Sequence, residues 1–224
     1  HQQTNKRISI MKICFAIPAR IDSTRIPKKM LLDIDGKPLI KHVFDEVNSW
    51  GYPTLVVTDS IEIYDKIPKG SCALSLEHEN GTARLASMDW FDNYDYIVNI
   101  QGDMIDISFD VISDLFKRIE ERNVWTFYTK GSGPDDVKVI HDLGVAKWFT
   151  RHPIGYGDRH LGIYAYTKEV LEQYNFMQNK YPIENLEQNR ILSYQNMGVI
   201  KTTYNGIEIN TQEDFDRWQL QHRK

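Results

Sequence analysis

The chain has 224 residues, 41% of them hydrophobic, and a formal net charge of −4. That length supports one sizeable core, and the acidic balance argues against general nucleic-acid binding, which needs a basic face. No apolar run approaches the ~20 residues of a membrane span, and Cys14 and Cys72 sit in apolar runs without zinc-type spacing, as reduced core residues of a cytoplasmic protein do.

In chain order, residues 1–10 are polar and lack the apolar centre of a signal peptide, so they read as a leader or added extension outside the fold. Strands are expected over 12–17, 54–58, 73–76, 96–100 and 124–128, with helices over 38–50, 61–67, 82–91 and 109–121 between them. The helix from Phe109 carries the plainest signal. Phe109, Ile112, Leu115, Phe116 and Ile119 form one apolar stripe, and Ser108 stands where a cap belongs. This strand–helix–strand rhythm, to about residue 129, predicts a parallel sheet with helices on both faces. Beyond it come strands over 137–140, 145–149, 161–166 and 199–203 and helices over 168–174, 183–194 and 212–221, with turns at Gly133-Pro134, Gly155-Tyr156-Gly157 and Asn205-Gly206. That half reads as a smaller mixed β/α portion laid over the first. No linker parts the halves, so one continuous domain over 11–222 with a lid-like insertion is expected.

Ile17-Pro18-Ala19-Arg20-Ile21-Asp22-Ser23-Thr24-Arg25-Ile26-Pro27-Lys28-Lys29 follows the first strand. Pro18 and Pro27 exclude a regular helix through it, because proline lacks an N–H and fixes φ. What remains is a stiff cationic loop at the carboxyl end of a strand, the edge at which open α/β sheets bind ligands. Its charge and free backbone donors suit a polyphosphate, with Arg20, Arg25 and Lys29 neutralising the phosphates. The loop has neither Walker nor G-x-G-x-x-G spacing, which disfavours ATPase-type and dinucleotide readings. A second strand ends in Gln101-Gly102-Asp103 and puts Asp103 on the same edge. A carboxylate facing a triphosphate points to Mg²⁺, which takes one or two carboxylates plus phosphate oxygens.

Four further segments carry weaker signals. In His78-Glu79-Asn80-Gly81-Thr82-Ala83-Arg84 an Asn-Gly turn precedes Thr82 as a helix cap, with N–H groups free to face a base or phosphate. In Arg159-His160-Leu161-Gly162-Ile163-Tyr164-Ala165-Tyr166, strand alternation puts His160 and Tyr164 on one face, able to reach a polar substrate together. Glu184, Glu187 and Gln188 share one helical face, which spacing alone makes a solvated one. Ile207 and Ile209 alternate with Glu208 and Asn210, so both polar groups share a face, and Thr211 caps the helix that follows.

Taken in order, these segments resemble the sugar-activating cytidylyltransferases, closest to the 3-deoxy-manno-octulosonate cytidylyltransferase (CMP-Kdo synthetase) family. The pattern I-P-A-R-x-x-S-T-R-x-P-x-K is met by Ile17 to Lys29, H-x-[SN]-G-T-x-R by His78 to Arg84, and V-N-x-Q-G-D by Val98 to Asp103. H-L-G-I-Y-x-Y is met by His160 to Tyr166 and I-E-x-L-E-Q-x-R-x-L by Ile183 to Leu192. The resemblance implies a Rossmann-like, GT-A-like α/β nucleotidyltransferase fold: a mixed sheet with helices on both faces and a smaller β-rich lid or dimerisation portion, about 130–166 and 183–203, in a homodimer. It implies a reaction in which a sugar hydroxyl attacks the α-phosphorus of CTP, giving CMP-sugar and pyrophosphate with Mg²⁺.

Carried over residue by residue, Arg20, Lys29 and Asp103 are the catalytic group. Pro18, Ala19, Ser23 and Arg25 join Arg20 and Lys29 around the nucleotide, with His78, Asn80, Gly81, Thr82, Arg84 and Gln101. Gln101, Arg151, His160, Tyr164, Glu187 and Gln188 line the sugar site, and Asp103 and Asn210 hold the metal.

This chain departs from the family at three places. Q-G-D-E-P becomes Asp103-Met104-Ile105-Asp106, and the segment between Val137 and His160 is short. The late D-T-x-E-D reads Asn210-Thr211-Gln212-Glu213-Asp214, so one metal carboxylate becomes an amide; weaker Mg²⁺ affinity is expected, with Glu208 or Asp106 as compensation. Two alternatives stand beside CMP transfer to a Kdo-like acid: activation of a different, phosphorylated sugar, with Arg151, His152 and Arg159 as anion contacts, and a catalytically weak nucleotide-binding homologue. A glycosyltransferase is disfavoured, because no Asp-x-Asp follows a mid-chain strand.

Overall fold

The fold comes from a computed structural model that describes residues 11–222 except 24, 135, 179, 181–183, 185, 205 and 207. The expected leader over 1–10 and the start of the helix expected from 183 lie outside the described residues.

The chain opens with β1 (Ile13–Ala19), all seven residues of which are buried. Its side chains alternate between two cores: Ile13, Phe15 and Ile17 enter one, Cys14 and Ala16 the other. A strand buried on both faces needs strands on both sides, and β1 pairs in parallel with β4 (Thr54–Thr58) and β6 (Tyr96–Asn99). Between β1 and β4 lies a short hairpin, β2 (Asp33–Ile34) and β3 (Lys37–Pro38), turned by Asp35-Gly36 with positive φ at both residues. The helix α1 (Leu39–Ser49) follows, with Leu39, Ile40, Val43, Phe44 and Val47 inward.

Next come α2 (Ile61–Tyr64), the edge strand β5 (Cys72–Leu74) and α3 (Gly81–Leu85). After β6 are α4 (Phe109–Ile112), β7 (Val124–Thr129), the hairpin of β8 (Lys138–Asp142) with β9 (Val145–Thr150), and β10 (Asp158–Thr167). The chain then runs through α5 (Lys168–Tyr174), α6 (Glu187–Leu192), β11 (Met197–Lys201) and α7 (Gln212–His222).

Among the described residues, nine strands form one sheet in the order β5-β4-β1-β6-β10-β7-β11-β9-β8. β5, β4, β1 and β6 run parallel, and β10 enters antiparallel between β6 and β7. Side chains of α1 and α7 pack into one core and those of α3, α5 and α6 into the other, so helices cover both faces. The β-rich second half attaches differently from the expected overlay. Its strands extend the first-half sheet edge to edge, because β10 satisfies the backbone of β6 that would otherwise be an open edge.

The segment 109–121 corrects the strongest helix expectation. Only Phe109–Ile112 is α-helical; Ser113–Lys117 and Ile119–Glu121 are 3₁₀ turns broken at Arg118, whose φ is −142°. The apolar stripe survives, with Ile112, Leu115 and Ile119 buried. Positions 109, 112 and 115, then 116 and 119, are spaced by three, which suits the three residues per turn of a 3₁₀ helix. Ser108 makes no side-chain cap. Cys14 and Cys72 are buried and unpaired, and burial pushes the Cys72 thiol up to about 12. No helix among the described residues is long and apolar enough to cross a membrane.

Candidate active site

Parallel pairing sets two loops side by side. β1 and β6 run in register, Ala16 opposite Asn99, so the cationic loop after β1 and Gln101-Gly102-Asp103 after β6 leave the same sheet edge. They border a cleft of about 440 Å³. Arg20, Ser23 and Arg25 line it, with Pro18 and Ala19 at its base. Arg20 and Arg25 are exposed, and neither pairs with a carboxylate among the described residues.

Lys29 differs. It opens the 3₁₀ turn Lys29–Leu31, is 9% exposed, and places Nζ 2.5 Å from Asp103 Oδ2 and 3.2 Å from Asn210 Oδ1. The basic loop, the end of β6 and the late segment before α7 thus converge on one ammonium. Two hard oxygen donors already face a positive charge there, so the donor set fits a divalent cation that keeps most of its ligands from phosphate and water. Among the described residues no three His, Cys, Asp or Glu side chains form a metal cage.

His78, Asn80 and Gly81 form a second wall. Gly81 allows a close approach, since a Cβ there would lie 3.0 Å from Pro18 Cγ and press on that ring. Asn80, not the expected Thr82, caps α3: its Oδ1 accepts from Ala83 N at 2.8 Å. Thr82 is buried behind the cleft, its hydroxyl 2.7 Å from Tyr166 Oη and its N–H donating to Glu187 Oε2 at 3.2 Å. The first-turn amides of Thr82 and Ala83 therefore meet protein oxygens, and the expectation that they face a ligand is corrected. Arg84 borders the cleft but is 2% exposed; Nη2 donates to Asp59 Oδ2 at 2.6 Å and Nη1 to Ser75 Oγ at 2.8 Å. Its geometry is that of a brace. Asp59, which sequence reasoning missed, also accepts the Ile21 N–H through Oδ1 at 3.1 Å and so ties the cationic loop to Arg84. Its signal was available: it follows β4 at the same carboxyl edge.

The third wall comes from β9, β10 and α6, with Arg151, His160, Tyr164, Glu187 and Gln188. The expected solvated face of α6 is corrected. Gln188 is buried, and Glu187 is held by Thr82, so this short helix turns its polar side into the cleft. Burial raises the Glu187 carboxyl above its usual range, and burial first, then the Glu187 charge, raises the Tyr164 and Tyr166 phenols. Gln101 donates to Gly162 O at 2.9 Å, tying the β6 end to β10.

Burial, then the charge of Arg151, pushes His160 down to about 3, so the imidazole is neutral. Its tautomer follows from its partners. Thr126 donates its single hydroxyl proton to Ile163 O at 2.8 Å, so its oxygen accepts from His160 Nε2, also at 2.8 Å. Nδ1 is then the acceptor and faces Gln188 Nε2 at 3.3 Å. Arg151 has no carboxylate partner among the described residues; its backbone is held by Glu184, which accepts Arg151 N at 2.6 Å. Arg159 is committed, with Nη2 3.2 Å from Glu208 Oε1 and Nε 3.5 Å from Asp136 Oδ1. Burial, then the Asp103 charge, raises the Glu208 carboxyl to about 7.

The cleft therefore gathers at its lining every residue expected to bind nucleotide, sugar or metal except Thr82; of the residues offered under the alternatives, His152 and Asp106 lie outside it and Arg159 and Glu208 within it. The pattern described as cytidylyltransferase matches residues 14–209. A 3-deoxy-manno-octulosonate cytidylyltransferase of Acaryochloris marina is 32% identical over 237 residues, spanning 94% of this chain and 97% of its own. One of Flavobacterium johnsoniae is 34% identical over 236 residues, spanning 92% and 97%. The solved CMP:2-keto-3-deoxy-manno-octonic acid synthetase complexed with CTP superposes with a TM-score of 0.85 at 29% identity, covering 94% of this chain and 98% of that one. A 4-diphosphocytidyl-2C-methyl-D-erythritol synthase from Anaerococcus prevotii shares the fold, with a TM-score of 0.64 at 17% identity, covering 95% and 97%. The matched span runs from β1 through both loop ends and all three walls of the cleft, and the chain is a nucleotidyltransferase that belongs to the cytidylyltransferase family.

Proposed function

We propose that this enzyme transfers CMP from CTP to a Kdo-like sugar acid, releasing pyrophosphate, with Mg²⁺. The observation that carries the reading is the convergence of Lys29, Asp103 and Asn210 at the junction of two unlike walls. One wall offers the guanidiniums of Arg20 and Arg25, which have no carboxylate partner among the described residues and suit phosphate oxygens. The other offers Gln188, oriented by the neutral His160, and Glu187 to a polyhydroxylated acceptor, with Arg151 placed to meet an acid group. The relatives named 3-deoxy-manno-octulosonate cytidylyltransferase support the acceptor.

In the reaction a sugar oxygen bonds to the α-phosphorus, the bond to the β-phosphate oxygen breaks, and the hydroxyl proton passes to solvent. The chain's part is positioning and charge neutralisation. Arg20, Arg25 and Lys29 hold the triphosphate in line with the acceptor, and Lys29 moves from Asp103 onto phosphate oxygens. Mg²⁺, held by Asp103 and Asn210, would neutralise charge on the reacting phosphates. His160 is buried and neutral with both ring nitrogens engaged, Nε2 by Thr126 and Nδ1 by Gln188, so it orients Gln188 toward the acceptor rather than acting as a base.

Purified protein given CTP, Mg²⁺ and Kdo should release pyrophosphate, and Asp103→Asn should abolish release. Sugar phosphates in a parallel arm test Arg151 as a phosphate contact. No release with any sugar acid or sugar phosphate, despite CTP binding, would overturn catalysis and leave a nucleotide-binding homologue.

A further inference from the structure

Asn210 puts an amide where the family pattern has a carboxylate, and its surroundings account for the exchange. We propose that Glu208 is a positioning residue of the cation site: it holds the Asn210 amide with its oxygen toward the cation and, in its ionised form, supplies the negative charge that Asn210 lacks. The proposal rests on the metal reading above.

Two groups face the Asn210 amide from opposite sides. Lys29 can only donate, and its Nζ lies 3.2 Å from Oδ1. The Glu208 carboxylate accepts, and its Oε2 lies 3.5 Å from Nδ2. Both demand the same orientation of the amide, oxygen toward the cation position and nitrogen toward Glu208. The backbone fixes the geometry further. Ile209, fully buried, donates its N–H to Asp103 O at 3.3 Å, which lays residues 208–210 alongside the end of β6. Asn210 N and Thr211 N both donate to Asp214 Oδ2, at 3.1 and 2.8 Å, and lock the segment to α7.

Asp106, the other carboxylate that the sequence offered as compensation, is committed elsewhere. It accepts from Trp218 Nε1 at 2.8 Å and lies 3.5 Å from His222 Nε2, on the α7 side, and it does not line the cleft. Glu208 does line it, steadied from behind by Arg159. An aspartate at 210 would set a second carboxylate where Nδ2 now approaches Glu208, two like charges in contact. Asn210 and Glu208 are thus a matched pair, with the charge moved two residues along the chain.

The test uses the full chain and the non-cleavable probe α,β-methylene-CTP, whose affinity is measured by calorimetry with Mn²⁺ and again with EDTA. The ratio of the two affinities reports the coupling of metal to nucleotide. Glu208→Gln is expected to lower that ratio ~10-fold. Its EDTA affinity should stay within about twofold of wild type, which a general structural defect would not allow. Glu208→Gln combined with Asn210→Asp returns the charge to position 210 and should recover the ratio to within about threefold. An unchanged ratio in Glu208→Gln overturns the proposal, and so does a double variant no better than Glu208→Gln. If the wild type itself binds the probe no more tightly with Mn²⁺ than with EDTA, the metal reading falls and takes this proposal with it; that failure is visible without any variant.

Discussion

Asp59→Asn is the most discriminating perturbation of the cleft, because the cost of breaking an ion pair depends on which partner is left behind. The Arg84 side chain is 3% exposed and that of Asp59 is 16% exposed. An asparagine at 59 keeps an oxygen for the Ile21 N–H but leaves the Arg84 guanidinium buried without a counter-charge, and arginine cannot shed its proton. Stranding a buried charge in this way costs about 3–5 kcal/mol. For a chain of this length each kcal/mol moves the melting temperature by about 2–4 °C, so a fall of roughly 6–20 °C is expected. Arg84→Met strands only the better-hydrated Asp59 and should cost less. The decisive arm is the double variant: removing Arg84 from the Asp59→Asn background removes the stranded charge, so Asp59→Asn/Arg84→Met should melt above Asp59→Asn alone. Differential scanning calorimetry of the four proteins settles it. A double variant that melts below Asp59→Asn, or an Asp59→Asn variant within about 1 kcal/mol of wild type, would refute the brace.

Other outcomes follow from the same geometry. Arg20→Ala removes an exposed guanidinium without a carboxylate partner among the described residues, so the melting temperature should hold while KM for CTP rises ~10-fold or more, the worth of a charge-assisted hydrogen bond. An unfolded histidine protonates near 6.5 and the folded His160 only near 3, so between those values the unfolded chain binds the extra proton. Stability contributed by His160 is therefore present above about pH 6.5 and is lost as pH falls toward 3, by up to ~1.4 kcal/mol per pH unit. Urea unfolding at several pH values should show a shallower acid limb in His160→Gln, and an unchanged limb would contradict the buried neutral imidazole. A Cβ at Gly198 would lie 2.3 Å from Trp125 Cε3, and Trp125 is buried, so Gly198→Ala should cost about 1–3 kcal/mol in urea unfolding through overpacking.

What was legible in this sequence is what short-range pattern encodes. The strands expected over 12–17 and 96–100 could be placed because each is an apolar run, and their ends fall close to the observed Ala19 and Asn99; parallel order then brings both loops to one edge. The alternation from 207 to 210 set Glu208 and Asn210 on one face, and both line the cleft. The failures share a different cause. The stripe from Phe109 is read equally well by an α-helix and by 3₁₀ turns, since a step of three satisfies both, and packing against the sheet decides between them. Spacing on α6 gave a correct face but not its direction, because whether Glu187 meets water or Thr82 depends on a partner 105 residues away. The same limit separates a polar residue that touches ligand from one that braces it. Arg84 and Arg20 look alike in sequence; Asp59, 25 residues from Arg84, makes one a brace, and the lack of any such partner among the described residues leaves the other open to a phosphate. Lys29 finds Asn210 across 181 residues, so the chemistry of that position becomes readable only when the late segment before α7 is set beside the first loop. Residue type at a strand end locates a site. The long-range partner that each polar group acquires on folding assigns its role.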